Sequence, residues 1–337
     1  MSAPSIRAPS RSPSPRSAPL VPAFLVAALV APGCGGGSAD FESPELDAAL
    51  DELRSLAKQR SWGEGAALGE LWAERAPASA EARAWHIYHL VRQGREAEAV
   101  EAADALHAEH PDDPWSSWAL AQAVNIDEER SDEALELSER AWEARPDDLD
   151  FARMRADILR DRESPRAAIE FIESLPPELR STATMLNRKG VAIQRGSYRD
   201  EELEMEDAYA AWAAAREADP TDVDAWFLAG GNLVGERRVE EAVPLLEKAL
   251  ELAPGSAEIH GYLWRAITGR ADLTAEEKEA RVRAGIEALL ARDPDAPAAL
   301  SAAARQYEQM GLLDDATSIE DRLLEVAPGS PEAEWVL

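Results

Sequence analysis

Residues 223–256 read VDAWFLAGGNLVGERRVEEAVPLLEKALELAPGS. Apolar residues recur at helical spacing in two runs, 224–234 and 239–252, with a turn at 235–238 between them. Pro254 stops the second run, and Gly255-Ser256 supplies the start of the next helix. Pro244 falls near the end of the second helix's first turn, where little hydrogen bonding is lost. Gly230 and Ala242 are small where two such helices would cross, and a larger side chain there would push them apart.

The same punctuation runs along the chain. Pro77, Pro111, Pro146, Pro177, Pro220, Pro254, Pro294 and Pro328 are separated by 34, 35, 31, 43, 34, 40 and 34 residues. Each follows an Ala-rich apolar helical run, and most precede Asp, Ser or Thr, so each reads as a helix stop followed by a helix start. A period near 34 marks a solenoid of helix pairs.

With Trp226, Gly230, Ala242, Ala249 and Pro254 at these spacings, the unit resembles the tetratricopeptide repeat (TPR), with Ala229, Leu233 and Leu246 as apolar substitutes. Other units carry parts of the pattern. These are Leu90, Gly94, Ala99 and Pro111; Trp118, Ala134, Ala141 and Pro146; Ala156, Ala168 and Pro177; Gly190, Ile193, Ala208, Trp212, Ala215 and Pro220; and Tyr307, Gly311, Ala316 and Pro328. Residues 46–79 form a degenerate first unit. The resemblance implies an all-α, right-handed solenoid of about eight TPR-like helix pairs over residues 46–330. Two turns are lengthened, at 194–207 and 269–279, and Thr274 to Glu277 has capping-box spacing. Residues 331–337 read as the start of a capping helix, because a terminal repeat has one face without a neighbour.

Residues 1–33 contain no Asp or Glu. Arg7, Arg11 and Arg16 precede an apolar run at 20–30, shorter than the roughly 20 residues needed to span a bilayer. A basic lead and a short apolar run form a signal-peptide arrangement. Gly33-Cys34 then resembles the lipobox of bacterial lipoproteins, with Ala31 and Pro32 departing from its pattern. The resemblance implies a signal peptide at 1–33, fatty acylation (palmitate) of Cys34, and a membrane-anchored lipoprotein of the bacterial cell envelope facing the periplasm or exterior. Residues 34–45, with Gly35-Gly36-Gly37, read as a flexible tether. A plain secretory signal, a transit peptide, or a soluble intracellular TPR adaptor are the other readings of this segment.

Composition narrows the function. Hydrophobic residues are 45% and charged residues 30% of 337, as in a folded soluble chain. A single cysteine excludes intrachain disulfides and Cys-based zinc sites. The net charge, 35 − 65 = −30, points away from nucleic acid. No phosphate-binding loop and no nucleophile elbow occur, so the expectation is a non-enzymatic scaffold without catalytic residues, cofactor or metal. The alternative is a metal-binding or enzymatic protein using His86 and His89 on one helix with His107 and His110 on its partner. Trp118, Trp212 and Trp226 sit at consensus core positions, and Trp85, Trp115, Trp142 and Trp264 read as packing between repeats.

In the TPR family the first helices line a concave groove that binds peptide segments. Carried over by spacing, this implies a groove of Tyr88, Arg92, Ala123, Arg153, Asp157, Arg160, Asn187, Val191, Arg195, Phe227, Gly231, Arg265 and Arg305. Its six arginines suit a carboxylate-bearing partner, such as an acidic peptide or a chain terminus. Alternatively they pair with Asp157, Asp161 or Glu308. The family's carboxylate clamp wants Lys and Asn where Ala84 and Tyr88 stand, so that activity is not implied.

Overall fold

The computed structural model describes residues 43–330 except 199 and 201, together with 332, 333 and 336. Cys34 and the whole 1–33 segment lie outside the described residues. Among these residues there is no strand, and the helices form eight pairs. They are α1 (Pro44–Lys58) with α2 (Trp62–Arg75), α3 (Ala80–Gln93) with α4 (Glu96–Glu109), α5 (Pro114–Ala123) with α6 (Ser131–Ala144), and α7 (Leu149–Ile158) with α8 (Pro165–Ser174). A single turn, α9 (Pro177–Arg180), follows. Then come α10 (Ala183–Gly196) with α11 (Met205–Ala218), α12 (Val223–Gly235) with α13 (Val239–Leu252), α14 (Ala257–Gly269) with α15 (Ala275–Arg292), and α16 (Pro297–Gln309) with α17 (Leu313–Val326).

The proline ruler has a local cause. Seven of the eight prolines stand two residues beyond the end of a second helix. The residue before each, such as His110, Asp219 or Ala327, has φ between −125° and −146°. With ψ between 59° and 98°, these residues have left the helical region, which a following proline disfavours, and the helix ends there. Asp113, Asp148, Asp222 and Ser256 then cap the next first helix through side-chain oxygens. Pro177 differs, because it opens α9 instead of closing a pair. Pro244 is also deeper than its spacing suggests. It is the sixth residue of α13, so the helix loses one internal hydrogen bond, to the carbonyl of Glu240.

Small residues set the distance between paired helices. A Cβ on Gly230 would lie 2.8 Å from Leu246, and one on Gly190 would lie 2.4 Å from Trp212. In the α14–α15 pair the roles are exchanged, with Gly285 giving room to Trp264 at 2.5 Å. Trp85, Trp115, Trp118, Trp212 and Trp264 are buried. Trp226 is only partly buried: its indole N–H donates to the Pro220 carbonyl at 3.0 Å and Arg216 lies over its ring.

Each first helix touches its own partner and the first helix of the next pair, so α1, α3, α5, α7, α10, α12, α14 and α16 form one continuous row. The lengthened turns lie at the α10–α11 and α14–α15 connections, and the capping box at Thr274 and Glu277 is made from both sides. At the C-terminal end the described residues Glu332, Ala333 and Val336 are turns, not helix, and Ala333 is buried against Leu300 and Leu323.

Candidate functional site

The row of first helices curls until distant pairs meet. Arg153 of α7 donates to the Tyr88 hydroxyl of α3 at 2.5 Å, across 65 residues of sequence. Arg54 of α1 reaches Asp150 of α7 at 3.4 Å and is also bonded to Glu81. Arg60, in the turn after α1, reaches Asp224 of α12 at 2.5 Å and Glu258 of α14 at 2.8 Å. Only a concave face allows such contacts, so the first helices line the inside of the solenoid, and much of that inside is filled by the chain itself.

The filling is an alternating chain of charges. Arg160 donates to Asp157 at 2.5 Å, Arg188 to Asp157 at 3.1 Å and to Asp224 at 3.5 Å, and Arg60 links Asp224 to Glu258. Burial pushes the Asp157 carboxyl up, but Arg188, Arg160 and Arg153 together hold it well below the usual carboxylate range. Asp224 follows the same balance, with Arg60 and Arg188 overcoming its burial. Burial works against the Arg60 charge, and Asp224 and Glu258 more than restore it. A buried ion pair persists when each charge has several partners, as here. Aromatic rings complete the lining: Arg92 lies 4.9 Å from the Trp62 ring and Trp62 meets Tyr88 edge-on at 6.2 Å.

The sequence-derived groove residues fall into three groups. Tyr88, Arg153, Asp157 and Arg160 meet in the charge chain. Ala123, Asn187 and Phe227 are buried; Asn187 donates to Asp222 at 2.9 Å, and Phe227 lies under the Arg60 guanidinium at 4.5 Å. Arg92, Arg195, Arg265 and Arg305 are exposed, and Val191 and Gly231 are partly so. Arg160 and Arg195 are bound to Asp161, and Arg160 also to Asp157. Helical spacing at 187, 191 and 195 selects Asn187, yet its neighbour Arg188 carries the contacts to Asp157 and Asp224. Arg60 has no such signal, because it sits in a turn and its partners are 164 and 198 residues away.

The four histidines separate into two unlike pairs. His86 and His89 face α2, where a Cβ on Gly69 or Gly65 would strike them. His86 Nδ1 bonds the Ala66 carbonyl at 3.1 Å and His89 Nε2 the Leu53 carbonyl at 3.1 Å. His107 instead bonds Ser116 at 3.0 Å and Arg140 at 3.1 Å. No group of three or more His, Cys, Asp or Glu side chains arranged for a metal occurs among the described residues. Burial pushes His89 down to about 4, so it is neutral near pH 7.

The concave face stays open toward its C-terminal end. A cavity of about 470 Å³ lies over α14 and α16, with Gln93 from the end of α3 on its rim. Ala257, Gly261, Ala298 and Ala302 leave the space, and Glu258, Tyr262, Arg265, Arg305 and Gln306 surround it. A Cβ on Gly261 would meet nothing within 4 Å. Gln306 is 4% exposed, and its amide nitrogen has no hydrogen-bond partner among the described residues. No described helix is long and apolar enough to cross a membrane.

Residues 195–257 match the family model for the tetratricopeptide repeat. No curated protein matches the chain in sequence. Among solved structures, the APC/C hetero-tetramer Cut9–Hcn1 aligns over 86% of this chain and 55% of its own, at 13% identity and a TM-score of 0.53. The human IFIT1 dimer with m7Gppp-AAAA aligns over 85% of this chain and 72% of its own, at 17% identity and a TM-score of 0.50. At such identities these likenesses concern the fold, and they agree with the eight stacked pairs. The repeat is thus matched in sequence at residues 195–257, where its pattern is fullest, and that tetratricopeptide-repeat segment sits within an all-α fold whose helix pairs recur on either side of it.

Proposed function

We propose that this protein is a non-enzymatic interaction scaffold that holds a segment of a protein partner in the open C-terminal part of its concave face. The observation that carries this reading is the cavity over α14 and α16, which small side chains keep empty beside a buried amide donor on Gln306. An unsatisfied buried donor is costly, and a backbone carbonyl of a bound segment would satisfy it. A protein partner is favoured over nucleic acid. The formal charge is −30, and Arg153, Arg160, Arg188 and Arg195 are committed to the chain's own oxygens. The IFIT1 structure contains a capped oligonucleotide, and that belongs to IFIT1.

The second part of the proposal concerns location. The basic lead, the apolar run at 20–30 and the single cysteine, Cys34, support a lipoprotein anchored by fatty acylation in the bacterial envelope, with the glycine run as tether. Labelling of cells with a fatty-acid analogue should mark the wild type and not Cys34→Ser. Label that survives the substitution refutes the anchor.

For the groove, Gly261→Trp is the direct test, because Gly261 lines the cavity and a Cβ there would meet nothing within 4 Å. Crosslinking capture of the partner should be lost in Gly261→Trp while helicity is unchanged. Equal capture by both proteins refutes the cavity as the docking place. Binding of a single-stranded oligonucleotide at about 0.15 M salt, weakened steeply by more salt, would move the reading to nucleic acid.

A further inference from the structure

Arg60 is held inside the groove under unusual conditions. Its φ is +59°, in the left-handed region that non-glycine residues rarely adopt. Its side chain is 8% exposed although it springs from a turn. Nη1 lies 2.5 Å from Asp224, Nη2 and Nε lie 2.8 and 3.1 Å from the same Glu258 oxygen, and the guanidinium carbon is 4.5 Å from the Phe227 ring centre.

The walls around this cation come from elsewhere. Asp224 and Phe227 belong to α12 and Glu258 to α14, whereas Arg60 is carried by the turn between α1 and α2. Two carboxylates on the edge of a planar cation and an aromatic face beside it are what recognises a guanidinium. That receptor is complete without the turn that fills it. It also borders the open cavity, because Glu258 lines both. Beyond Glu258 lies Gln306, whose buried amide nitrogen is unpartnered among the described residues. A segment lying in the cavity can therefore reach the receptor and Gln306 together.

We propose that Asp224, Glu258 and Phe227 form an arginine-receptor site, closed in this structure by the chain's own Arg60, into which an arginine of the bound partner segment docks by exchange. The inference rests on the cavity reading above and gives its partner a chemistry: a segment bearing arginine. The charge of −30 attracts such a segment. The backbone conformation at residue 60 weakens the internal occupant, and moving it displaces only a turn. Arg188 remains 3.5 Å from Asp224, so that carboxylate keeps a partner while Arg60 is away.

The test is calorimetric titration with the blocked tripeptide Gly-Arg-Gly and its citrulline counterpart. Arg60→Gly removes the occupant and puts glycine where φ is positive. It should bind the arginine peptide at least about tenfold more tightly than wild type does, and at least about tenfold more tightly than it binds the citrulline peptide. Adding Glu258→Gln should remove about tenfold of that affinity. Arg60→Gly that binds no better than wild type, or binds both peptides equally, overturns the proposal. Should Arg60→Gly fail to fold, Arg60→Lys keeps the charge and loses the fork; methylguanidinium should then raise its melting temperature more than that of wild type, and an equal response overturns the proposal. The receptor and the cavity fail separately. Peptide uptake by Arg60→Gly with partner capture unaffected by Gly261→Trp keeps the receptor and removes the cavity, and the converse keeps the cavity alone.

Discussion

Acid should loosen the first two repeats through one side chain. His89 is fully buried between α3 and α2, its Nε2 is tied to the Leu53 carbonyl, and its other ring nitrogen has no partner among the described residues. Burial pushes its pKa from 6.5 to about 4, with Arg153 and His86 adding to the fall. A group whose folded value is depressed favours the neutral form in the folded state. Its stabilisation is therefore whole above about pH 6.5 and is lost as pH falls through the interval to about 4. Linkage between those two values gives a loss of about 2 kcal/mol at about pH 5, nearing about 3 below the folded value. His86 and His260 are also lowered by burial, so wild type alone does not isolate the effect. The comparison is with His89→Phe, which keeps a ring in the notch left by Gly65 and cannot ionise. Urea denaturation followed by circular dichroism at about pH 7.5 and about pH 5 should show wild type losing about 2 kcal/mol more than the variant. Equal losses in the two proteins would mean that His89 is not held neutral between these helices, and the packing of α2 on α3 described above would be wrong.

Other substitutions test separate joints. Gly190→Ala should destabilise by about 1–3 kcal/mol, because its Cβ would lie 2.4 Å from a fully buried Trp212; a neutral melting temperature contradicts the close crossing of α10 and α11. Arg188→Ala leaves Asp157 and Asp224 without a shared partner and should cost about 3–5 kcal/mol, read by denaturant unfolding. Thr274→Ala removes the hydroxyl that accepts from the Glu277 N–H, leaving only the backbone half of the capping box at α15, and should cost about 1 kcal/mol, with hydrogen exchange rising in its first turn only.

How much of this was legible in the chain differs by distance. The boundaries of α12 and α13 follow from residues a few positions apart, the Asp222 cap, the small Gly230 and the stop before Pro254, and the structure repeats them within a residue or so. Prolines read correctly as stops because their effect on the preceding residue is local. Pro177 read wrongly because a proline that ends one helix and one that opens another look alike without the turn between them. The groove shows the opposite limit. Spacing along a first helix names Tyr88, Arg153 and Asp157, and they do share one face, but whether that face is open depends on how far the row curls. That curl is the sum of many small packing angles, and no single residue encodes it. Arg60 closes the face from 164 residues away, from a turn outside any helical periodicity. The pairing of the arginines with Asp157 and Asp161 was one of two readings available in the sequence, and the structure places them together.

The central claim is that the inner row curls until the first helix pair meets the sixth and seventh. A double-mutant cycle between Arg60 and Asp224 addresses it most directly, with unfolding free energies of Arg60→Ala, Asp224→Ala and the double variant set against wild type. Residues in one buried ion pair should show a coupling of about 2 kcal/mol, so the double variant is less damaged than the sum of the singles. Additive effects, within about 0.5 kcal/mol, would place the two residues apart and contradict the closed face.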